Sequence, residues 1–392
     1  MTSQFEYLSV FDAQDTKKLG AIIQQCFGSS PENWERYHKR IGIENFRLLR
    51  QEGHISAGLA IYHMGQCYGG QIVPMAGIAA VGVAPEYRGK GAAYEILTQT
   101  IQELYRQSVP ISVLYPATQV LYRKVGYEQA GSYCRWELPL SNIPIQARSM
   151  TIRRVSTDNY SIFESIYTRQ AQINNGNLAR HQAIWQHLLE SEKEQAVYAY
   201  LIGSESEPEG YIIFTQERNE QELAIAIRDW AILTAEAAKC LWTFLGNHRS
   251  QTQKVSWQGS LSNPFLLLLP EQTAKIVWQM IWMMRIIDVS LALSKRGYPT
   301  GIEAELELEI RDNLLEANNG NFSLQVSGGR GEVRPGGKGT FQIDIRGLAP
   351  FYTGFLSPRQ LQQLGYLKAT PKALETATLL FSGDRPWMAD FF

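Results

Sequence analysis

Between Val81 and Ala93 the chain reads VGVAPEYRGKGAA, an apolar strand end followed by two glycines and two cationic side chains. Gly89 and Gly91 let backbone amides approach a ligand closely, and Arg88 and Lys90 bring full positive charges to the same turn. Ahead of it, Gly77 to Val83 (GIAAVGV) is β-rich; behind it, Ala92 to Tyr105 (AAYEILTQTIQELY) has apolar residues at helical spacing. The turn therefore presents amides at the positive end of a helix dipole, a cradle for an anion the size of pyrophosphate. A phosphate loop of the nucleotide hydrolases would place a hydroxyl after Gly-Lys, but Gly91 and Ala92 follow Lys90. A dinucleotide fingerprint would place a third glycine where Tyr94 stands.

The elements that must hold this cradle read as a mixed α/β unit over residues 1–146. Leu19 to Phe27 predicts a short amphipathic helix, and Phe46 to Arg50 with Ile55 to Met64 a hairpin around Glu52-Gly53. After the cradle's helix come a strand at Ile111 to Tyr115, a short helix at Val120 to Val125 and a closing strand at Tyr127 to Leu138. The segment SNIPIQ at 141–146, with Pro144, marks a boundary.

Residues 147–285 repeat that order: a helix at Asp158 to Gln172, a hairpin of Gln195 to Ile202 and Gly210 to Gln216, a strand at Leu223 to Leu233, a helix at Ala235 to Leu245 and a strand at Lys254 to Gln258. Here Leu233 passes through Thr234 straight into AEAAKCLW, without glycine or arginine, so this copy is not expected to bind the anion. Residues 286–392 alternate apolar and polar types in Glu303 to Ile310, Phe322 to Val326 and Gly339 to Ile345. Asn318-Asn319-Gly320 and GGRGEVRPGGKG read as turns between those strands, and Leu356 to Leu364 and Pro371 to Leu380 as short helices near the end.

A chain of 392 residues exceeds one compact core, which agrees with three domains. With 37 basic and 38 acidic residues the net charge is -1, so neither nucleic acid nor an anionic membrane is drawn to it globally. Cys26, Cys67, Cys134 and Cys240 stand singly, without zinc or disulfide spacing, and point to a reducing, cytoplasmic setting. His38, His54, His63, His181, His187 and His248 show no ligand spacing, so no metal is expected. The N-terminal residues MTSQFEYLSVFDAQDTKK lack a secretory pattern, and the apolar stretches Phe265 to Leu269 and Ile276 to Ile287 fall short of a membrane span.

Arg88-x-x-Gly91-x-Ala93 after a Val-Gly-Val-Ala-Pro strand end resembles the R/Q-x-x-G-x-G/A motif by which GNAT acetyltransferases hold the pyrophosphate of acetyl-CoA. One unit with an intact cradle, one degenerate unit and a strand-rich terminal unit entered through WMMRIIDV together resemble the Eis family of N-acetyltransferases across essentially the whole chain. The resemblance implies an α/β (α+β) chain: tandem GNAT folds, the first active and the second degenerate, then a sterol-carrier-protein-like domain. It implies acetyl-CoA as cosubstrate, for which Val81, Gly82, Val83, Arg88, Gly89, Lys90, Gly91, Ala92, Ala93 and Thr118 are the expected contacts. It also implies that the C-terminal carboxylate, here that of Phe392, enters the active site, and that a tyrosine protonates the departing thiolate. LYRKVGYE offers two: Tyr122, favoured by the Leu-Tyr-x-x-x-Gly-Tyr spacing, and Tyr127, which follows Gly126 into a strand and is expected to pack.

Such a site needs an amine held against the thioester carbonyl, donors for the developing oxyanion, a base and an acid. A terminal carboxylate titrates at about 3.3 to 3.7 when unperturbed, so Phe392 serves either as base or as an electrostatic anchor for a cationic substrate. Asp390 and Trp34 are the expected substrate contacts: Asp390 extends an acidic rim with Glu32 and Glu35, unless those two are solvated surface carboxylates, and Trp34 is either core or platform. The implied acceptors are amino groups of aminoglycosides, other polyamines and lysine side chains, including those of proteins, and the implied assembly is a ring-like homo-oligomer, a hexamer. Two other readings compete: a lipid carrier acting through the third domain, and an acetyl-CoA-sensing adaptor that keeps the cradle but lacks acid and base.

Overall fold

Glu52-Gly53 and Gly69-Gly70 all have positive φ (52°, 77°, 56° and 79°), the geometry that a two-residue hairpin turn demands. These turns set the register of the sheet that carries the cradle. The computed structural model describes residues 5–10, 12–144, 149–191, 195–218 and 222–392. It divides into two compact units, one of residues 1–131, 282–384 and 392, the other of residues 132–281 and 385–391.

In the first unit the chain runs through β1 (Phe5–Ser9), α1 (Ala13–Phe27), α2 (Pro31–Ile41), β2 (Phe46–Gln51), β3 (His54–Tyr68), β4 (Gln71–Val83), α3 (Ala92–Arg106), β5 (Ile111–Leu114), α4 (Gln119–Lys124) and the start of β6 (Glu128–Pro139). Strands β1 to β4 pair antiparallel in sequence order, β4 and β5 pair parallel across the α3 crossover, and Met283–Ile286 lies antiparallel to β5. Leu49, Ile61, Ile78, Ile96, Ile101, Leu114, Tyr127 and Met283 form its buried core. Each apolar side chain taken fully out of water contributes about 1.5–3 kcal/mol.

The helical region before β2 differs from its expectation. The helix expected from Leu19 begins at Ala13, capped by Asp12, whose carboxylate accepts from the Asp15 amide at 2.7 Å, and Gly28 closes it in the left-handed region. A second helix, which carries Trp34, then runs from Pro31 to Ile41, capped by Ser30. Asp15 masked the first helix's true start: it is buried and paired with Arg50 at 2.7 Å, a polar residue on an inward face.

The C-terminal part of the first unit holds a separate five-stranded sheet of Ala304–Arg311, Gly320–Ser327, Arg330–Pro335, Phe341–Asp344 and Leu367–Ala369. GGRGEVRPGGKG is therefore not all turn: Gly328-Gly329 makes a hairpin, and Arg330–Pro335 pairs antiparallel with Gly320–Ser327. The strand expected over Gly339 to Ile345 ends at Asp344, whose carboxylate accepts from the Gly347 amide at 2.7 Å and starts the helix Ile345–Thr353.

A buried ion pair joins this part to the first sheet. Arg285 Nη2 donates to both oxygens of Asp312 at 2.9 and 2.7 Å, with both side chains at 1% exposure or less. Asp312 also accepts from Asn318 Nδ2 at 2.9 Å and from the Leu314 amide at 2.9 Å. Gly126 makes room for this arginine, since a Cβ there would collide with Arg285 Nη1, and its φ of 89° independently favours glycine.

The second unit repeats the order of the first. Val197–Gly203, Pro208–Arg218 and Leu223–Ile232 pair antiparallel, the helix Ala235–Gly246 crosses over, and Lys254–Gly259 returns parallel to Leu223–Ile232. Trp136, Trp230, Trp242 and Trp257 fill its core, with the rings of Trp136 and Trp257 stacked at 6.3 Å. Thr234 starts its crossover helix directly, accepting from the Ala237 amide at 3.2 Å. Part of the expected 141–146 linker, residues 145 and 146, lies outside the described residues. Among the described residues no helix is long and apolar enough to cross a membrane.

Removing one partner of the Arg285–Asp312 pair leaves a buried charge without its counter-ion. Asp312→Ala is expected to destabilise the first unit by about 3–5 kcal/mol, while replacing both partners together with Met and Leu costs much less. Denaturant unfolding of the single and paired variants measures the difference, and equal losses would refute the account.

Candidate active site

The first positioning device is an extra residue in β4. Pairing with β3 runs unbroken from Tyr68–Gln71 to Ala60–Ala79 and resumes at Gly58–Gly82, so three steps on β4 match two on β3. Ala80 absorbs the mismatch at φ 50°, a conformation that costs a non-glycine residue roughly 1–2 kcal/mol. Parallel pairing of β4 with β5 ends at Ile78–Leu114, just before this bulge. Val81, Gly82 and Val83 therefore continue past the end of β5, without a strand partner on that side.

The cradle follows at once. Pro85–Tyr87 makes one turn of 3-10 helix, and Gly89 and Gly91 take φ of 76° and 89°. A Cβ at either glycine would meet nothing within 4 Å, so the turn is open on that side. Helix α3 starts at Ala92 without a side-chain cap, which leaves its first amides for an anion. A cavity of about 590 Å³ opens here, lined by Val83, Arg88, Gly89, Gly91, Ala92 and Ala93 together with Tyr87, Tyr94, Leu121 and Lys124.

Four expected contacts do not line that cavity. Gly82 faces α1, where a Cβ would press on Ile23 Cδ1 at 2.9 Å, and Val81 packs on the core beneath the sheet. Lys90 lies over the Tyr87 ring at 5.4 Å, and Thr118 is an exposed residue at the start of α4 that makes no capping bond. Arg88 folds back, donating through Nε to the Val83 carbonyl at 3.3 Å and through Nη2 to Cys26 Sγ at 3.5 Å. Lys124 brings a cation from α4 to the cavity, and its place could not be read before the fold of that helix was known.

The two tyrosines separate by environment. Tyr122 is 5% exposed, and burial pushes its phenol up to about 12; among the described residues no side-chain hydrogen bond engages its hydroxyl. Tyr127 is buried and shares a 2.7 Å hydrogen bond with the Ser112 hydroxyl of β5. Their rings meet edge to face at 6.1 Å. Tyr127 is thus tied to the sheet.

The terminal residue lies beside β4. The Phe392 ring sits 5.7 Å from that of Tyr62 and 5.9 Å from that of Tyr115, and a Cβ on Gly77 would meet its Cε2 at 2.5 Å. Gly77 thereby leaves a seat for the last side chain. No feature of the sequence marked Tyr62, Tyr115 or the bulge at Ala80, since an alanine carries no signal for positive φ.

Two expected substrate contacts need correction. Asp390 is not on an exposed rim: it is 4% exposed within the second unit, where Arg180 Nε binds it at 2.9 Å and Arg180 Nη1 holds Asp229 at 2.6 Å. The Arg180 guanidinium lies over the Tyr167 ring at 3.6 Å, so the cluster is closed by aromatic packing and Asp390 serves to seat the tail. Burial pushes the Asp390 carboxyl above its usual range, against the pull of Arg180. Trp34 is core, 6% exposed, stacked on His38 at 5.2 Å and packed against Gly20, where a Cβ would collide with its indole. Glu35 is a helix-surface carboxylate paired with Lys39 at 2.7 Å, and Glu32 is exposed in the same helix.

Residues 10–130 and residues 176–286 each match a model described as an acetyltransferase (GNAT) domain, and residues 289–389 match one described as a sterol carrier protein domain. The chain thus carries the expected order of two GNAT folds followed by a sterol-carrier-protein-like domain. The N-acetyltransferase Eis of Mycobacterium tuberculosis is 26% identical over 277 residues, which span 67% of this chain and 66% of that protein. The crystal structure of Eis1 from Mycobacterium abscessus shares the fold, with TM-score 0.83 at 19% identity over 99% of this chain and 100% of that one. A GCN5-related N-acetyltransferase from Anabaena variabilis is 52% identical with TM-score 0.97, covering 99% of this chain and 100% of its own. Identity of that extent, over the same succession of domains, means that the chain belongs to the Eis-like family of GNAT N-acetyltransferases.

Proposed function

We propose that this protein transfers the acetyl group of acetyl-CoA directly to a primary amine of a small polycationic acceptor. The observation that carries the reading is the open glycine turn at the start of α3, set immediately beyond the end of β4 that has no β5 partner. The cradle suits a diphosphate: two left-handed glycines with free space on their open side, uncapped helix amides, and Arg88 and Lys124 on its walls. Acetyl-CoA, when bound, supplies an activated thioester carbonyl.

In this reading residues 1–146 form the catalytic domain, residues 147–285 a degenerate copy, and residues 286–392 a domain that supplies the terminal carboxylate. The cradle residues Arg88 to Ala93 hold the diphosphate, and amides of Val81 to Val83 orient the thioester arm. Tyr122 keeps its proton across the physiological range, because burial holds its phenol near 12, and directs it at the sulfur as charge builds there. The carboxylate of Phe392, whose ring is seated beside Tyr62, Tyr115 and Gly77, attracts the acceptor ammonium and receives the proton that the amine must lose. A local anion of this kind favours aminoglycosides, polyamines and lysine side chains as acceptors. Assembly into a homo-oligomer, a hexamer, completes the reading, and native mass spectrometry tests it.

Three measurements bear on these roles. Tyr122→Phe is expected to lower kcat by about 10²–10⁴-fold while KM for acetyl-CoA stays near its original value; an effect confined to thermal stability would leave Tyr122 as packing alone. Removing Phe392, or extending the chain past it, is expected to abolish transfer while acetyl-CoA still binds, and undiminished turnover would sink the carboxylate's role. Because the phenol of Tyr122 is raised, its acid form persists as pH increases, so kcat should not fall on the alkaline side until the pH approaches about 12. A fall at neutral pH would assign the acid to another group.

A further inference from the structure

Glu128, the first residue of β6, is a carboxylate crowded with donors. Arg123 reaches Oε1 through Nε and Nη2 at 3.0 and 2.7 Å, and Arg346 reaches Oε2 through Nη2 at 2.6 Å. The Gln129 amide and the Tyr366 hydroxyl add bonds of 3.1 and 3.4 Å, and Arg346 Nη2 also donates to Tyr366 Oη at 2.7 Å. The Glu128 side chain is 8% exposed, whereas those of Arg123 and Arg346 are 37% and 33% exposed. Burial pushes the Glu128 carboxyl up, but hydrogen bonds from Arg123 and Arg346 outweigh it and hold the group below its usual range.

The network stands one residue from the proposed acid. Arg123 follows Tyr122 in α4, and a helix of 6 residues cannot fix its own direction. Three ties hold the chain just beyond it: the Tyr127–Ser112 hydrogen bond, the Arg285 guanidinium packed on Gly126, and the grip of Glu128 on Arg123. The third is completed from the sterol-carrier-protein-like domain, because Arg346 is the second residue of the helix Ile345–Thr353.

We propose that Arg346, acting through Glu128 and Arg123, is a positioning residue that sets the direction of α4 and so aims the Tyr122 hydroxyl. The inference rests on the role proposed for Tyr122. It gives the third domain a task beyond delivery of the terminal carboxylate: that domain holds the helix bearing the acid. Without Arg346, Glu128 keeps Arg123, whose Nε reaches Oε2 at 3.0 Å, but loses the 2.6 Å bond that ties that oxygen to the third domain, and α4 gains angular freedom. A displacement of about 1 Å at a reacting group is enough to cost roughly 10²-fold in rate. The cradle glycines and Arg88 are untouched, so acetyl-CoA keeps most of its contacts although Leu121 and Lys124 of α4 share the cavity wall.

The test is a double-mutant cycle on the full chain, using acetyl-CoA and whichever of kanamycin, spermidine or a lysine peptide turns over fastest. Arg346→Ala is expected to lower kcat by about 10–100-fold with KM for acetyl-CoA within about twofold. Arg346→Lys should recover part of the loss, since it restores a charge but not the fork. In the Tyr122→Phe background, Arg346→Ala should cost less than about threefold further, because the group it positions is gone. A full-speed Arg346→Ala enzyme, or an equal loss in both backgrounds while Tyr122→Phe alone is slow, overturns the inference and leaves the tyrosine's role standing. Tyr122→Phe at the parent rate, or no turnover with any acceptor, overturns the underlying reading and this one with it. Should Arg346→Ala fail to fold, Arg346→Gln, which retains a donor for Glu128, is read against the same outcomes.

Discussion

The candidate site depends on one extra residue in a strand. With strict pairing, β4 would run flush with β3 on one side and have no reason to leave β5 on the other. The insertion at Ala80, held at φ 50°, turns the strand end just where its ladder with Leu114 stops. The residues that follow keep their pairing with β3 at Gly58–Gly82 and Ala57–Val83 but have no partner in β5, and the chain passes from them directly into the glycine turn. A local mismatch of register thus creates an unpaired backbone edge on an otherwise well-ordered sheet.

The second unit makes a useful contrast because it shares the topology and lacks the opening. Its strand Leu223–Ile232 leads into a helix start already satisfied by the Thr234 hydroxyl, and Thr234 itself donates to Glu209 at 2.6 Å. A side-chain cap and an anion compete for the same helix amides. In the first unit Gly91 stands at the capping position and offers no oxygen, so those amides remain for a ligand. The difference between the two copies is therefore chemical at a few positions rather than architectural.

Much of this could be read from residue order. The cradle, its flanking strand and helix, the repeat and the alternation of the terminal sheet all rest on local patterns: glycine spacing, a period of two, a period near 3.6. The misreadings share a different physical origin. Asp390, near an aromatic terminus, looked like a free carboxylate, yet Arg180 from a distant segment neutralises it. Trp34 could not be assigned to core or surface until Gly20 and Phe46 were seen to enclose it. The start of α1 was hidden because Asp15, polar by type, faces inward toward Arg50. In each case a long-range partner changed what a side chain means, and local sequence holds no record of such a partner.

The Arg285–Asp312 pair bears on how such a protein can change over generations. Arg285 is contributed just before the terminal domain, and its counter-ion comes from within that domain. A gene that lost the last hundred or so codons would not release a simpler acetyltransferase, because its product would keep a charged guanidinium under the first sheet with nothing to neutralise it. Gly126 tightens the constraint, since it is shaped to that same arginine. Once fused, the domains form an evolutionary ratchet: sequence can drift around the pair, but the terminal domain cannot be shed unless Arg285 is replaced first.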